Sequence, residues 1–267
     1  MSDQTVENRK VPVWNGRVTM NVQIKGSGPD LVYFHPASGM AWDPFLDELA
    51  KSYRIHAPEF PGTTPGNPYD IHKIDDLADA VLIYEETLRG LGLNQPLAVG
   101  QSFGGMMALE LASSFPEIFS RLVVLDPIGL WTEAHPVTNW IEAPAPALPA
   151  ILFKNPASAP AQAMLALPED PEAAILATAQ LVWNLGATGK MVWPIPDKGL
   201  SKRLHRLTAP ALIVWGEEDA LISSAYAGLL GERIKGSRVE IIRDCGHIPQ
   251  VEKHPETMTV VQPFLAA

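Results

Sequence analysis

Two hydrophobic patterns alternate along this chain: apolar runs of about five residues, and longer stretches in which apolar residues return every three or four positions. The first pattern has the length of a buried strand and the second the period of an amphipathic helix. VTMNVQIK (18–25) alternates apolar and polar residues and predicts an exposed antiparallel strand, closed by the turn GSGPD. LVYFH (31–35) and YRIHAP (53–58) predict core strands. Between them, 42–51 predicts a helix with Trp42, Phe45, Leu46 and Leu49 on one face. After the loop EFPGTTPGNP, Asp75 or Asp76 caps a helix whose stripe runs through Leu77, Val81, Tyr84 and Leu88 and ends at Gly90 and Gly92. PLAVG (96–100), RLVVLD (121–126), ALIVWG (211–216) and RVEIIRD (238–244) predict further strands. Helices are expected over 103–115 and near 255–265, the latter entered through Pro255.

Strand and helix runs in alternation predict an α/β protein, a mainly parallel sheet with helices on both faces. One stretch breaks the rhythm. Residues 131–200 hold ten of the 25 prolines, no arginine, and four tryptophans, Trp131, Trp140, Trp183 and Trp193. Helical segments near 159–167 and 171–185 have no strand between them. A structureless connection of that length is uncommon in a compact domain, so 131–200 is expected to be a helical cap inserted in a core made of 1–130 and 201–267.

Composition narrows the partners. A formal net charge of −10 over 267 residues lacks the basic face that nucleic acid or an anionic membrane surface requires. With one cysteine, Cys245, no disulfide can form within the chain. No CxxC or HExxH spacing occurs, so neither a metal nor another cofactor is expected. The opening MSDQTVENRK is polar, and no apolar run approaches the roughly 18 residues of a membrane span. A cytoplasmic protein acting on a small molecule is the expectation.

The chemistry centres on GQSFGG (100–105), which fits G-x-S-x-G between a predicted strand and a predicted helix. Such a corner forces the serine into an unfavourable backbone conformation, and small neighbours let strand and helix approach. The Ser102 hydroxyl then stands at the N-terminus of the next helix, where free N–H groups gather. A serine hydroxyl needs a base and an acid to orient that base. Among seven histidines, His247 follows the last strand, on the sheet edge that Ser102 occupies. His35 shares that edge, but a structural role is expected for it. Asp219 leaves the strand ALIVWG at the same edge, and Asp126, at the end of RLVVLD, is its competitor. The order Ser102, Asp219, His247 favours Asp219.

LVYFHPASG, GQSFGG, GEEDALI and GHIPQVEKHPE together resemble the α/β-hydrolase superfamily, in its serine-nucleophile branch that includes carboxylesterases and meta-cleavage-product hydrolases. The resemblance implies an α/β-hydrolase fold, a mainly parallel sheet of about eight strands with an inserted helical cap. It also implies an oxyanion hole from two backbone N–H groups. One maps to Phe103, whose ring is also a candidate pocket wall. The family's loop usually begins His-Gly, whereas here it reads HPASG; Pro36 has no N–H, so the second donor maps to Ala37. Met40, Trp131, Trp140, Phe153, Trp183 and Met191 are the candidate pocket residues. An apolar carboxylic ester is the expected substrate. A carbon–carbon bond hydrolase of aromatic ring-cleavage products ranks second, because its substrates carry carboxylates and arginine is absent from 122 to 202, leaving Lys190 as the obvious substitute. A ligand receptor on a retained hydrolase fold is the third reading.

Overall fold

The structure, a computed structural model, describes residues 5–194 and 197–267. Residues 1–4 of the polar N-terminal stretch and 195–196 within the 131–200 segment lie outside the described residues. Eight strands, β1 (Glu7–Val13), β2 (Val18–Gly26), β3 (Asp30–Phe34), β4 (Arg54–Pro58), β5 (Leu97–Gln101), β6 (Arg121–Leu125), β7 (Ala211–Gly216) and β8 (Arg238–Ile242), form one sheet in the order β1-β2-β4-β3-β5-β6-β7-β8. Pairing is antiparallel for β1 with β2 and β2 with β4, and parallel from β4 through to β8.

The central strands are buried on both faces, so each carries two interleaved apolar sets. Leu31, Tyr33, Val99, Val123, Leu125, Leu212 and Val214 point into one core. Val32, Phe34, Ala98, Leu122, Val124, Ile213 and Trp215 point into the other. This is why these strands read as unbroken apolar runs. Helices α1 (Pro44–Leu49), α2 (Leu77–Gly90) and α3 (Phe103–Ser114) follow their strands. Asp43 caps α1 through Leu46 N–H, and Asp76 caps α2 through Asp79 N–H. Between β6 and β7 the chain forms α4 (Leu148–Leu152), α5 (Ala159–Leu165), α6 (Pro171–Val192) and α7 (Leu200–Arg203), and no sheet strand among the described residues. Helices α8 (Ala225–Arg233), α9 (Pro249–Glu252) and α10 (His254–Ala266) complete the chain.

The sequence pattern misses β1 altogether. ENRKVPV opens with four exposed polar residues and shows no alternation. It is a strand because its whole length pairs with β2, from Glu7 beside Ile24 to Val13 beside Val18, and Pro12 is tolerated there because β1 is an edge strand. In turn β2 is not exposed: it is flanked on both sides, and Val18, Met20, Val22 and Ile24 are buried. Helix α6 outruns its expected end by a further two turns, to Val192. Where the chain returns from α7 to the core, Arg203 pairs at 2.6 Å with Glu110, a buried residue of α3.

The register sets up the functional edge. Phe34 at the end of β3 lies level with Gly100 of β5, and Gln101 lies level with Leu125 of β6. The loops after β3, β5, β7 and β8 therefore emerge side by side. Between α3 and the end of β3 the fit is tight: a Cβ on Gly104 would sit 2.0 Å from the Phe34 carbonyl oxygen. Gly104→Ala is expected to lose about 3 kcal/mol of stability or more. Gly186→Ala, on an exposed part of α6 with nothing within 4 Å of the new Cβ, should gain up to about 1 kcal/mol. Denaturant melts of the two variants check both.

Candidate active site

Ser102 links β5 to α3 at φ 54° and ψ −116°, a conformation that costs a non-glycine residue on the order of 1–3 kcal/mol. Its surroundings hold it there. The Ser102 N–H donates to the Leu125 carbonyl at 2.9 Å, and a Cβ on Gly100 would meet the Gly104 carbonyl oxygen at 2.5 Å. The hydroxyl is nearly buried, with the residue 7% exposed.

His247 faces it from the loop after β8. Its Nε2 lies 2.9 Å from Ser102 Oγ, and its Nδ1 lies 2.8 Å from Asp219 Oδ2. Asp219 Oδ1 accepts from the Leu221 and Ile222 N–H groups at 2.8 and 2.9 Å. With the Asp219 carboxylate facing it as an acceptor, Nδ1 of the imidazole donates and Nε2 is left to accept from Ser102. The His247 backbone is held too: its N–H donates to the Leu152 carbonyl at 2.8 Å, and Gln101 Nε2 donates to its carbonyl at 3.0 Å. Glu252 accepts from the Gly246, Lys154 and Asn155 N–H groups, tying the same loop to the segment after α4. Gln101 and Glu252 were not singled out in the sequence. Gln101 is the variable position of G-x-S-x-G, and Glu252 lies within GHIPQVEKHPE without a spacing that marks it.

The competing acid, Asp126, is fully buried beneath this array. Its Oδ1 accepts from the Gly216 N–H at 2.8 Å, while Oδ2 meets no donor. Burial, and then the charge of Asp219, push its carboxyl well above the usual range. Cys245 is also buried, and desolvation pushes its thiol up, the opposite of a reactive cysteine. Asp126, Asp219 and His247 offer ligand atoms within 4.8 Å of one another. Both oxygens of Asp219 are already engaged, Oδ1 by the Leu221 and Ile222 N–H groups and Oδ2 by His247 Nδ1.

Neither Ala37 nor Phe103 donates its N–H to a protein acceptor among the described residues; Ala37 lines the cavity at Ser102, and Phe103 opens α3 next to it. The Phe103 ring turns away into the core, edge-on to Phe60 at 5.1 Å. His35 is structural: Nδ1–H donates to the Pro36 carbonyl at 2.7 Å, and Nε2 accepts from the Phe60 N–H at 2.8 Å. Burial holds its ring below the ordinary pKa, as this neutral arrangement requires.

Ser102 and His247 open into a cavity of about 170 Å³. Of the expected wall residues, Trp140 and Phe153 line it. Four do not. Met40 packs against the core on the far face of the sheet, with Phe45 and Leu49. Met191 points from α6 into the main core, and Trp131 packs on that core's margin. Trp183 lies outside, donating Nε1–H to the Pro68 carbonyl and meeting Tyr69 edge-on. The actual wall is more aliphatic: Leu148, Leu152, Met164, Leu165, Leu181, Leu185, Leu221 and Ile248, with Pro36, Ala37, Ser38 and Gln101 at the base. Residue type could not separate Leu181 from Trp183, two positions apart on one helix, because only the rotation of α6 decides which faces inward.

The family model described as the alpha/beta hydrolase family matches residues 31–259. The 2-hydroxymuconate semialdehyde hydrolase of Pseudomonas sp. (strain CF600) is 27% identical over 261 residues, covering 92% of this chain and 86% of that protein. The pimeloyl-[acyl-carrier protein] methyl ester esterase of Nitrosomonas europaea is 22% identical over 251 residues, covering 86% and 93%. Among solved structures, naproxen esterase (carboxylesterase NP) from Bacillus subtilis superposes with a TM-score of 0.76 at 17% identity, covering 98% of this chain and 92% of that one.

The state of Asp126 can be read from stability. As pH rises past the ordinary value of 3.8, the unfolded carboxyl ionises while the folded one keeps its proton. The unfolded state then binds fewer protons, so folding loses stability with rising pH until the raised folded pKa is reached. An asparagine at this position carries no such penalty. The stability of Asp126→Asn relative to the natural protein should therefore climb above about pH 4, by up to about 1.4 kcal/mol per pH unit. Urea melts between pH 4 and 8 measure it; a difference independent of pH would mean that Asp126 is ionised in the fold.

Proposed function

The chain belongs to the alpha/beta hydrolase family, and from that premise we propose that it is a serine hydrolase of apolar carboxylic esters, working through an acyl-enzyme. The observation that carries this reading is the run of hydrogen bonds from Asp219 through His247 to Ser102 at 2.8 and 2.9 Å, at the floor of an otherwise apolar cavity. In this reading Ser102 Oγ attacks the ester carbonyl while His247 Nε2 takes its proton. Asp219, held by two backbone N–H groups, keeps the imidazole oriented and stabilises its positive charge. The carbonyl oxygen becomes an oxyanion facing the Ala37 N–H of the loop after β3 and the Phe103 N–H at the start of α3. Collapse of the tetrahedral adduct breaks the bond to the alkoxy group, which leaves as the alcohol with the proton from His247. A water molecule then attacks the acyl-Ser102 carbonyl, His247 takes its proton, and the carboxylic acid departs as Ser102 regains its hydrogen.

Residues 131–200 act as the cap, since α4, α5 and α6 supply Leu148, Leu152, Leu165 and Leu181 over the serine. The ester is favoured over the carbon–carbon substrate because that substrate's carboxylate calls for a cation, and no lysine or arginine lines the cavity among the described residues. Lys190 is committed elsewhere, to the carbonyls of Ile71 and Ile74. A cavity of about 170 Å³ is small beside the roughly 300 Å³ and upward of common ligand pockets, which favours short acyl chains.

On a panel of nitrophenyl esters of increasing acyl length, turnover should be highest for short chains. It should vanish in Ser102→Ala and fall about 10⁴-fold in Asp219→Asn. Turnover of a dienoate ring-cleavage product with none of any ester would sink the ester reading in favour of carbon–carbon cleavage. Saturable ligand binding without turnover of either class would point to a receptor.

A further inference from the structure

The loop assigned the second oxyanion donor does not stand alone; helix α6 grips it. Asn184 is 5% exposed, and its Nδ2 donates to the Ser38 carbonyl at 2.7 Å. Its Oδ1 accepts from Gln180 Nε2 at 2.7 Å, which fixes the amide the right way round. One turn on, Thr188 Oγ1 donates to the Asn184 carbonyl at 2.8 Å and sits 3.3 Å from the Ala37 carbonyl. The loop is shaped to admit this contact: Gly39 has φ +101°, and a Cβ there would fall 2.4 Å from Asn184 Nδ2. From the other side, the Pro36 carbonyl accepts from His35 Nδ1–H and from the Gly39 N–H at 3.1 Å. A trans peptide turns the Ala37 N–H away from that carbonyl.

We propose that Asn184 is a positioning residue for ester hydrolysis: by holding the Ser38 carbonyl it fixes residues 37–39 so that the Ala37 N–H is kept where the oxyanion forms. This rests on the ester reading above. The oxyanion hole then spans two parts of the chain, with Phe103 in the sheet core and Ala37 steadied by a helix of the 131–200 segment. An interaction that matters only once the oxyanion forms changes kcat and leaves substrate binding alone.

The test compares the natural protein, Ser102→Ala and Asn184→Ala on nitrophenyl butyrate. It adds two inhibitors, a trifluoromethyl ketone, which adds to Ser102 as an oxyanion, and an ether of the same shape, which cannot. Asn184→Ala should lower kcat about 10–100-fold, short of the 10²–10³ of a donor lost outright. KM should stay within about threefold. The ketone should weaken in step with kcat and the ether should bind as before. Unchanged kcat, or ketone and ether weakening together, would overturn the proposal, the second outcome marking a merely structural role. If Asn184→Ala does not fold, Asn184→Leu keeps the branched shape but has no donor for Ser38, and the same split is expected. A natural protein that shows neither turnover nor Ser102-dependent ketone binding would instead remove the ester reading, and this assignment with it.

Discussion

The architecture turns on one close approach. Helix α3 comes so near β5 and the end of β3 that Gly100 and Gly104 have room for hydrogen only. Ser102 is therefore caught at an unfavourable φ and ψ, and the strain is sustained by the backbone bond to Leu125 and the packing of α3 on both its strands. Remove that proximity and the hydroxyl loses its place above the sheet edge, the first turn of α3 no longer presents its N–H groups there, and His247 has nothing to face. The two apolar cores on either side of the sheet serve the same end, since they hold β3, β5 and β6 in the register that brings their ends together.

Much of this was legible in the sequence because it is written locally. The strand–turn–helix around GQSFGG, the capping Asp76, and the strand ends that release Asp219 and His247 are properties of short windows. Asp219 and Asp126 illustrate the limit. Both end strands at the same edge, and chain order alone favoured Asp219. The structure separates them by environment: Asp219 meets two N–H groups and the imidazole, while Asp126 is left with one N–H and one bare oxygen. What stayed hidden depends on distant partners. β1 has no pattern of its own and exists through β2. The cavity wall depends on the rotation of α6, which places Leu181 inside and Trp183 outside. Large aromatic residues drew attention in the sequence, yet most of them fill the core or its margins, and leucines form the wall.

The electrostatics follow one logic throughout. At the site, Asp219 is met by two backbone N–H groups and by His247 Nδ1. Elsewhere burial favours neutral forms: it pushes the His35 ring below its ordinary pKa and the Asp126 carboxyl well above its own. The cavity above Ser102 is lined mainly by aliphatic side chains, with no lysine or arginine among the described residues.

The segment between β6 and β7 is joined to all three loops of the site: Asn184 to the loop after β3, Thr138 to the Ala220 and Leu221 carbonyls beside Asp219, and the stretch 152–155 to the loop that carries His247. Evolution and engineering often treat such an insertion as an interchangeable module, a wall to be swapped for a new specificity. In this chain a transplant would also exchange the supports of the loops beneath it. A graft that fits a new substrate but lacks counterparts of Asn184 and of the Leu152 carbonyl would leave those loops unbraced, so inheritance of this insert is inheritance of part of the machinery.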